Sequence, residues 1–474
     1  IVMTGQPRKD KRMIVSDLLT TDKKINTAKG NNITLNTNPS IEKLATDNQI
    51  IRLNDGSLLA FKLGFLWSSL NPKPFWWNWY KSDSSNYEPG TRDVVFIYKS
   101  TDCGLTWNII SKIDAATIDE GQYGIPKMED EDEDQKQDVD DEGAKLWHSN
   151  GFDRQEVYYD NITDKIYLST QIASGRVTVS GVTTVPAIDQ YGVFVSHDRG
   201  ITWQLVKETD KRMLVMTTTP NGRFFMFTVS KGIPVLFYTT ELNDFNLSSL
   251  VSTPIIHPFL YGKSSEIDPY IHQKNKLKTI SIARGHDNSV YLAFPVLNDF
   301  GRSEYVIGHI KIDEKVPVVL PANCSFKTIK SSLPTNFSLS YGTFVESGAE
   351  GIKMNFGNNK TVAPKILFFY VESSASHMNL GGNKIPYLGP KKVAVKGILI
   401  DNSTNTLGDK FFISRNANNG ERWFEPYSVP DNGGIGHYTK GAYYTYDQKQ
   451  NYVVQWPEPD GIHVSVISNV ALWK

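Results

Sequence analysis

Cysteine is scarce in this chain. Cys103 and Cys324 are the only two among 474 residues. One disulfide is possible, and a disulfide framework is excluded. No apolar run approaches the roughly 20 residues of a membrane-spanning helix. Net charge is also small, with 50 Lys and Arg against 51 Asp and Glu. Such a balance supplies no basic surplus for a dedicated nucleic-acid binder. Long helical periodicity is nearly absent. There is no phosphate-binding glycine loop, no zinc-ligand spacing and no hydrolase nucleophile elbow.

What the chain does contain is β signal. Aromatic residues reach 12%, and such side chains suit a pleated surface. Short apolar or alternating runs recur with turn residues between them. "QIIRLNDGSLLAFKLG" reads strand, turn, strand, and "EVYYDNITDKIYLSTQ" and "RMLVMTTTPNGRFFMFTV" repeat the pattern. "KILFFYVESS", "VAVKGILIDNSTN" and "AYYTYDQKQNYVVQW" extend it towards the C-terminus. Grouped, the runs give about six four-stranded units of ~40–70 residues, the size of propeller blades. Residues 1–30 are polar, carry mixed charge and read as a linker. Residues 31–474 read as one domain.

One octamer is written twice. "STDCGLTW" runs from Ser100 to Trp107, and "SHDRGITW" from Ser196 to Trp203. Each follows a strand. Asp102 and Asp198 can accept backbone N–H groups at a tight turn. Gly104 and Gly200 supply a positive φ. Trp107 and Trp203 can bury a ring as the next strand begins. Ser100 and Ser196 can close the turn from the other side. A degenerate third copy is "SRNANNGERW", with Ser414, Asn416, Gly420 and Trp423 in the matching roles.

Ser-X-Asp-X-Gly-X-Thr-Trp resembles the Asp-box, or BNR repeat, of sialidase-like β-propellers. "DGSLLAFK" followed by "RDVVFIYKSTDCGLTW" is similar to a sialidase first blade, and loosely the resemblance spans residues 45 to 460. It implies an all-β, six-bladed β-propeller with Asp-box turns and inserted loops. In that family the boxes lie on the rim, away from the active site, so they speak for the fold and not for an activity.

The resemblance also implies three arginines clamping a carboxylate, a Tyr nucleophile assisted by Glu, and an Asp acid/base. A guanidinium fork suits a carboxylate. The family's first arginine sits in Arg-Ile-Pro, and this chain has none. Arg52, four residues before Gly56, reads as a strand or turn residue. Candidates for the other roles are Asp83, Arg284, Arg302, Tyr443 and Tyr444. With its first anchor missing, the expected protein is a non-catalytic member of the superfamily.

Three stretches go beyond a generic propeller. "FLWSSLNPKPFWWNWYKSD" places Trp67, Trp76, Trp77, Trp79 and Tyr80 in a first-blade loop. It is either a plug for one end of the ring or an aromatic platform for sugar or protein. Met128 to Lys145 holds ten acidic and two basic residues, leaving 48 basic against 41 acidic elsewhere. The acidic insertion reads as a solvated loop, with a partner-covering surface at Glu131, Asp132, Glu133 and Asp134 as the functional alternative. Asp138, Asp140 and Glu142 alternate as hard oxygen ligands, so calcium is the one cofactor they would suit, although no EF-hand pattern is present. "KLWHSNGFDRQEVYYD" gathers His148, Asp153, Arg154 and Glu156 just before a strand.

The expected function is binding of a protein partner in the cell envelope. One form is an immunity or inhibitor protein that blocks a toxic enzyme, such as a type VI secretion effector. The alternatives are an exo-sialidase or related glycoside hydrolase, and a carbohydrate-binding lectin. The opening "IVMTGQPRKDKRM" is similar to the end of a lipoprotein signal. The expected location is therefore periplasmic or secreted, with membrane contact only through a lipid anchor; an ordinary polar N-terminus is the alternative.

Overall fold

The computed structural model describes residues 12–17, 26–29, 48–64, 94–113 except 103 and 105, 148–175, 178–179, 182–183, 188–209, 214–230, 233–255, 280–298 except 287, 303–311, 324–333, 337–346, 352–354, 360–362, 365–373, 379–380, 383–384, 392–415, 421–424, 440–446, 449–458, 461–468 and 470.

The chain is all-β and forms a six-bladed β-propeller, one sheet per blade. Sheet 1 runs Asn48–Arg52, Leu58–Gly64, Val94–Ser100, Asn108–Ile113. Sheet 2 runs His148–Asp160, Lys165–Gly175, Ile188–Ser196, Gln204–Thr209. Sheet 3 runs Val215–Thr218, Phe224–Ser230, Ile233–Thr239, Leu250–Pro254. Sheet 4 runs Ser281–Arg284, Ser289–Leu297, Ser303–Lys311, Cys324–Ile329. Sheet 5 runs Ser338–Val345, Ile366–Ser373, Val393–Asp401, Thr406–Phe412. Sheet 6 starts with Lys440–Tyr446, Lys449–Glu458 and Gly461–Ile467. The chain divides into two compact units, the first holding sheets 1 and 2 and the second sheets 3 to 6.

Sheet 6 draws its outer strands from the segment read as a linker. Arg12–Asp17 pairs in parallel with Gly461–Ile467, and Asn26–Lys29 pairs antiparallel with Arg12–Asp17. An edge strand leaves a row of backbone donors and acceptors, and a distant segment of the chain takes them up.

The core explains why the middle strands read as unbroken apolar runs. Leu59, Phe61 and Ile97 of sheet 1 pack on Ile166, Leu168 and Phe194 of sheet 2. In the second unit, sheet 4 is covered on both faces. Val290, Leu292 and Phe294 face sheet 3, while Tyr291, Ala293 and Tyr305 face sheet 5. Alternate residues of one strand thus serve two neighbours, and both parities must be apolar. All of Ile366–Ser373 is buried for this reason.

The two octamers adopt the same turn, each between the third and fourth strands of its sheet. Ser100 Oγ accepts Gly104 N–H at 2.8 Å and donates to Asp102 Oδ1 at 2.8 Å. Asp102 accepts Thr106 N–H at 2.8 Å and Thr106 Oγ1 at 2.6 Å. In the second copy the four corresponding distances are 2.7, 2.9, 2.8 and 2.6 Å. Gly104 and Gly200 have φ of 87° and 88°. Each Trp ring nitrogen returns a bond to the glycine carbonyl.

The degenerate third copy does not sit in that position. Ser414 comes after the fourth strand of sheet 5, and the third-to-fourth connection is instead the turn after Asp401. Ser414 Oγ donates to Arg422 C=O, and Phe424 pairs with Val393. Of its four matching residues, Asn416 and Gly420 lie outside the described residues.

Candidate functional site

Most of the loops singled out from sequence lie outside the described residues. That holds for Asp83 and Arg302, for Trp76, Trp77, Trp79 and Tyr80, for Glu131 to Asp134, and for Asp138, Asp140 and Glu142. His148 and Arg154 belong to the first strand of sheet 2 and not to a loop before it; their side chains are outside the description.

That strand is irregular in a way that bears on the site. Its register with the second strand shifts between Asn150 and Asp153, and again between Asp153 and Glu156. Two bulges in one strand re-aim the side chains beside them. Gln49, on the first strand of sheet 1, binds the end of the second bulge. Its Nε2 donates to Gln155 C=O at 2.6 Å and to Glu156 Oε2 at 3.1 Å, and its Oε1 accepts Val157 N–H at 3.1 Å. Gln155 is buried, and its amide donates to Phe61 C=O at 3.0 Å. One amide thus fixes a half-buried carboxylate, able to accept a cation or a hydroxyl, on the first strand of its sheet.

In the second unit, Arg284 and Tyr443 are the nominated residues with described side chains. Arg284 is 5% exposed at the end of the first strand of sheet 4, beside the turn to the second. Its guanidinium donates to Thr218 C=O at 2.7 Å and to Thr218 Oγ1 at 2.5 Å. Its own N–H donates to Glu346 Oε1 at 2.8 Å, an oxygen that also accepts the Thr217 hydroxyl. This group ties the ends of three first strands together. In sheets 3 and 4 it stands beside the turns from first to second strand. Tyr443 is half-buried and packs on Tyr452 at 5.6 Å. Tyr444 lies on the same strand, with its side chain outside the description.

The first strand of sheet 5 is bulged as well, between Ser340 and Thr343. Tyr341 has a φ of +54°, an unusual backbone state for a bulky residue. Burial pushes its hydroxyl pKa far up. Gly342 comes next because a Cβ there would stand 2.5 Å from the Phe368 ring.

A buried ion pair sits in sheet 5. Glu372 and Lys396 are 1% and 5% exposed and in direct contact. Lys396 Nζ also donates to Ser332 Oγ at 2.9 Å and lies over the rings of Phe412 at 4.4 Å and Trp423 at 5.0 Å. Glu372 accepts both the N–H and the hydroxyl of Ser332. The same clamp, one carboxylate on the N–H and hydroxyl of one serine, closes turns at Asp55–Ser57, Asp244–Ser249 and Asp401–Ser403. Its recurrence marks the Glu372 group as a device that anchors a connection. Sequence reasoning did not single out Glu372, Lys396, Gln49, Glu346 or Tyr341. A signal existed for the first two, since each is a charge set inside an apolar run, "FFYVES" and "VAVKGILI".

No protein-family model matches the chain, and no curated protein matches its sequence. Solved structures do. A mutant of the NanB sialidase from Streptococcus pneumoniae is 9% identical, with 90% of this chain and 68% of that chain covered and a TM-score of 0.42. A mutant of the α-L-arabinofuranosidase Arb93A from Fusarium graminearum is 12% identical, with 91% and 95% covered and a TM-score of 0.36. The GH43 protein BlXynB from Bacillus licheniformis is 11% identical, with 81% and 56% covered and a TM-score of 0.33.

Proposed function

We propose that this chain is a binding propeller that holds a protein partner and does not hydrolyse sialosides. The observation behind the reading is the state of Arg284. A clamp arginine needs its guanidinium fork open to the substrate carboxylate. Arg284 is buried with its fork on Thr218. The missing Arg-Ile-Pro anchor points the same way. In this reading the tryptophan-rich and acidic loops are the partner-binding surfaces, the protein is exported and lipid-anchored, and the partner is a toxic enzyme that it blocks.

The test is hydrolysis of a fluorogenic sialoside by the purified protein, across pH and with calcium present, beside a Tyr443→Phe/Tyr444→Phe variant. The reading expects no turnover by either protein. Turnover that the variant loses would replace it with a glycoside hydrolase.

A further inference from the structure

We propose that the outer edge of Gly461–Ile467 in sheet 6 is a strand-addition site. The chain's own Arg12–Asp17 is its exchangeable resident, and its ligand is an extended segment of a protein partner. The protein nature of the ligand rests on the function proposed above; the exchange itself does not.

Sheets 1 to 5 each complete the third strand with an antiparallel fourth strand. Sheet 6 alone uses a segment from the opposite end of the chain, in parallel register from Met13↔Ile462 to Asp17↔Val466. Parallel ladders are slightly weaker per residue than antiparallel ones. Among the described residues, Asn26–Lys29 alone lies beyond that ladder, paired from Arg12↔Lys29 to Val15↔Asn26. The two strands form a unit that would be marginal alone, because an isolated two-stranded pair is barely stable in water. It joins the sheet through five register pairs. Removing it would not unmake the template, since Gly461–Ile467 is paired on its other side with Lys449–Glu458 from Tyr452↔Ile467 to Glu458↔Gly461. An open edge on a formed sheet recruits another strand. A partner strand entering antiparallel would give sheet 6 the ladder the other five sheets have. Main-chain bonds would carry affinity, and residues of high strand propensity at alternating positions would carry selectivity.

The test uses the full chain, cysteine-free apart from Met13→Cys and Ile462→Cys. These positions are direct register partners, and neighbouring strands stand about 4.8 Å apart, within disulfide reach. A fluorescent peptide of residues 12–29 is titrated against the reduced and the oxidised protein. The reduced protein should bind with a Kd of about 10–50 μM. Oxidation should weaken binding at least about tenfold, dithiothreitol should restore it, and an Ile14→Pro peptide should fail because it cannot complete the ladder. Equal binding by both redox forms would place the peptide elsewhere and overturn the proposal. So would no binding by the reduced protein, or a disulfide that does not form. The sialoside assay is independent, so failure of one reading leaves the other standing.

Discussion

Two ionic groups in this molecule use similar chemistry in opposite surroundings. In the first unit, Arg199 reaches Asp164 at 2.7 Å and Asp55 at 3.2 Å, with its side chain 43% exposed. In the second, Lys396 meets Glu372 with side chains 7% and 1% exposed. Water and salt screen the first group, so its net value is small. The second group stands in a low-dielectric interior. Its net value against an apolar pair is also modest, but breaking it leaves one charge buried and unpaired. A short distance therefore says little about importance until burial is known.

The largest expected effect comes from breaking the buried pair. Lys396→Ala should destabilise the protein by about 3–5 kcal/mol, read as a lower midpoint in urea. Lys396→Met with Glu372→Leu should recover most of that loss, to within about 1–2 kcal/mol of the parent, because neither charge remains. A double variant as unstable as the single would show that Ser332 anchoring, and not the buried charge, dominates.

Next come the turns. Gly200→Ala places a Cβ at φ +88° and 3.0 Å from Leu59 Cδ1. It should cost about 1–3 kcal/mol in thermal unfolding. Asp198→Asn removes a carboxylate that closes the turn and should cost about 1–2 kcal/mol at neutral pH. Partial burial pushes the Asp198 carboxyl up, but hydrogen bonds from Thr202, Ser196 and Ile201 outweigh it and hold the pKa below its usual 3.8. A depressed carboxyl stabilises above its unfolded value and loses that contribution as pH falls through its folded one. The gap between parent and Asp198→Asn should hold from pH 7 to 5 and close below pH 3.8. A gap unchanged at pH 3 would assign the effect to shape and not charge. The smallest effect belongs to Arg199→Ala, whose melting temperature should match the parent's in 0.5 M salt, with any difference confined to low salt.

The turns also show how much of the fold is legible in one sequence. The octamers announced two turns because their spacing is intact. Asp244 and Asp401 do the same work in sheets 3 and 5 with "NDFNLSS" and "DNSTN", which share no register with the octamer. The chemistry is shared across the sheets while the pattern is not. Pattern alone does not place the Ser414 copy, because only strand order separates a third-to-fourth connection from a segment beyond the fourth strand. The candidate site was less legible. Gln49 and Glu156 are 107 residues apart and look ordinary until two bulges and a neighbouring first strand bring them together. Arg284 could be nominated but not placed, because a buried guanidinium and an open one are spelled alike.

By itself, the sequence determined the architecture. Runs buried on both faces, glycines where φ must be positive and repeated turn residues act over a few positions, and those local constraints accumulate into six sheets, five of them four-stranded. Only the tertiary structure decided which charges are buried, which carboxylate is held by an amide, and which segment completes the last sheet. Those outcomes depend on pairs of residues far apart in the chain, and burial and dielectric exist only once the sheets have packed.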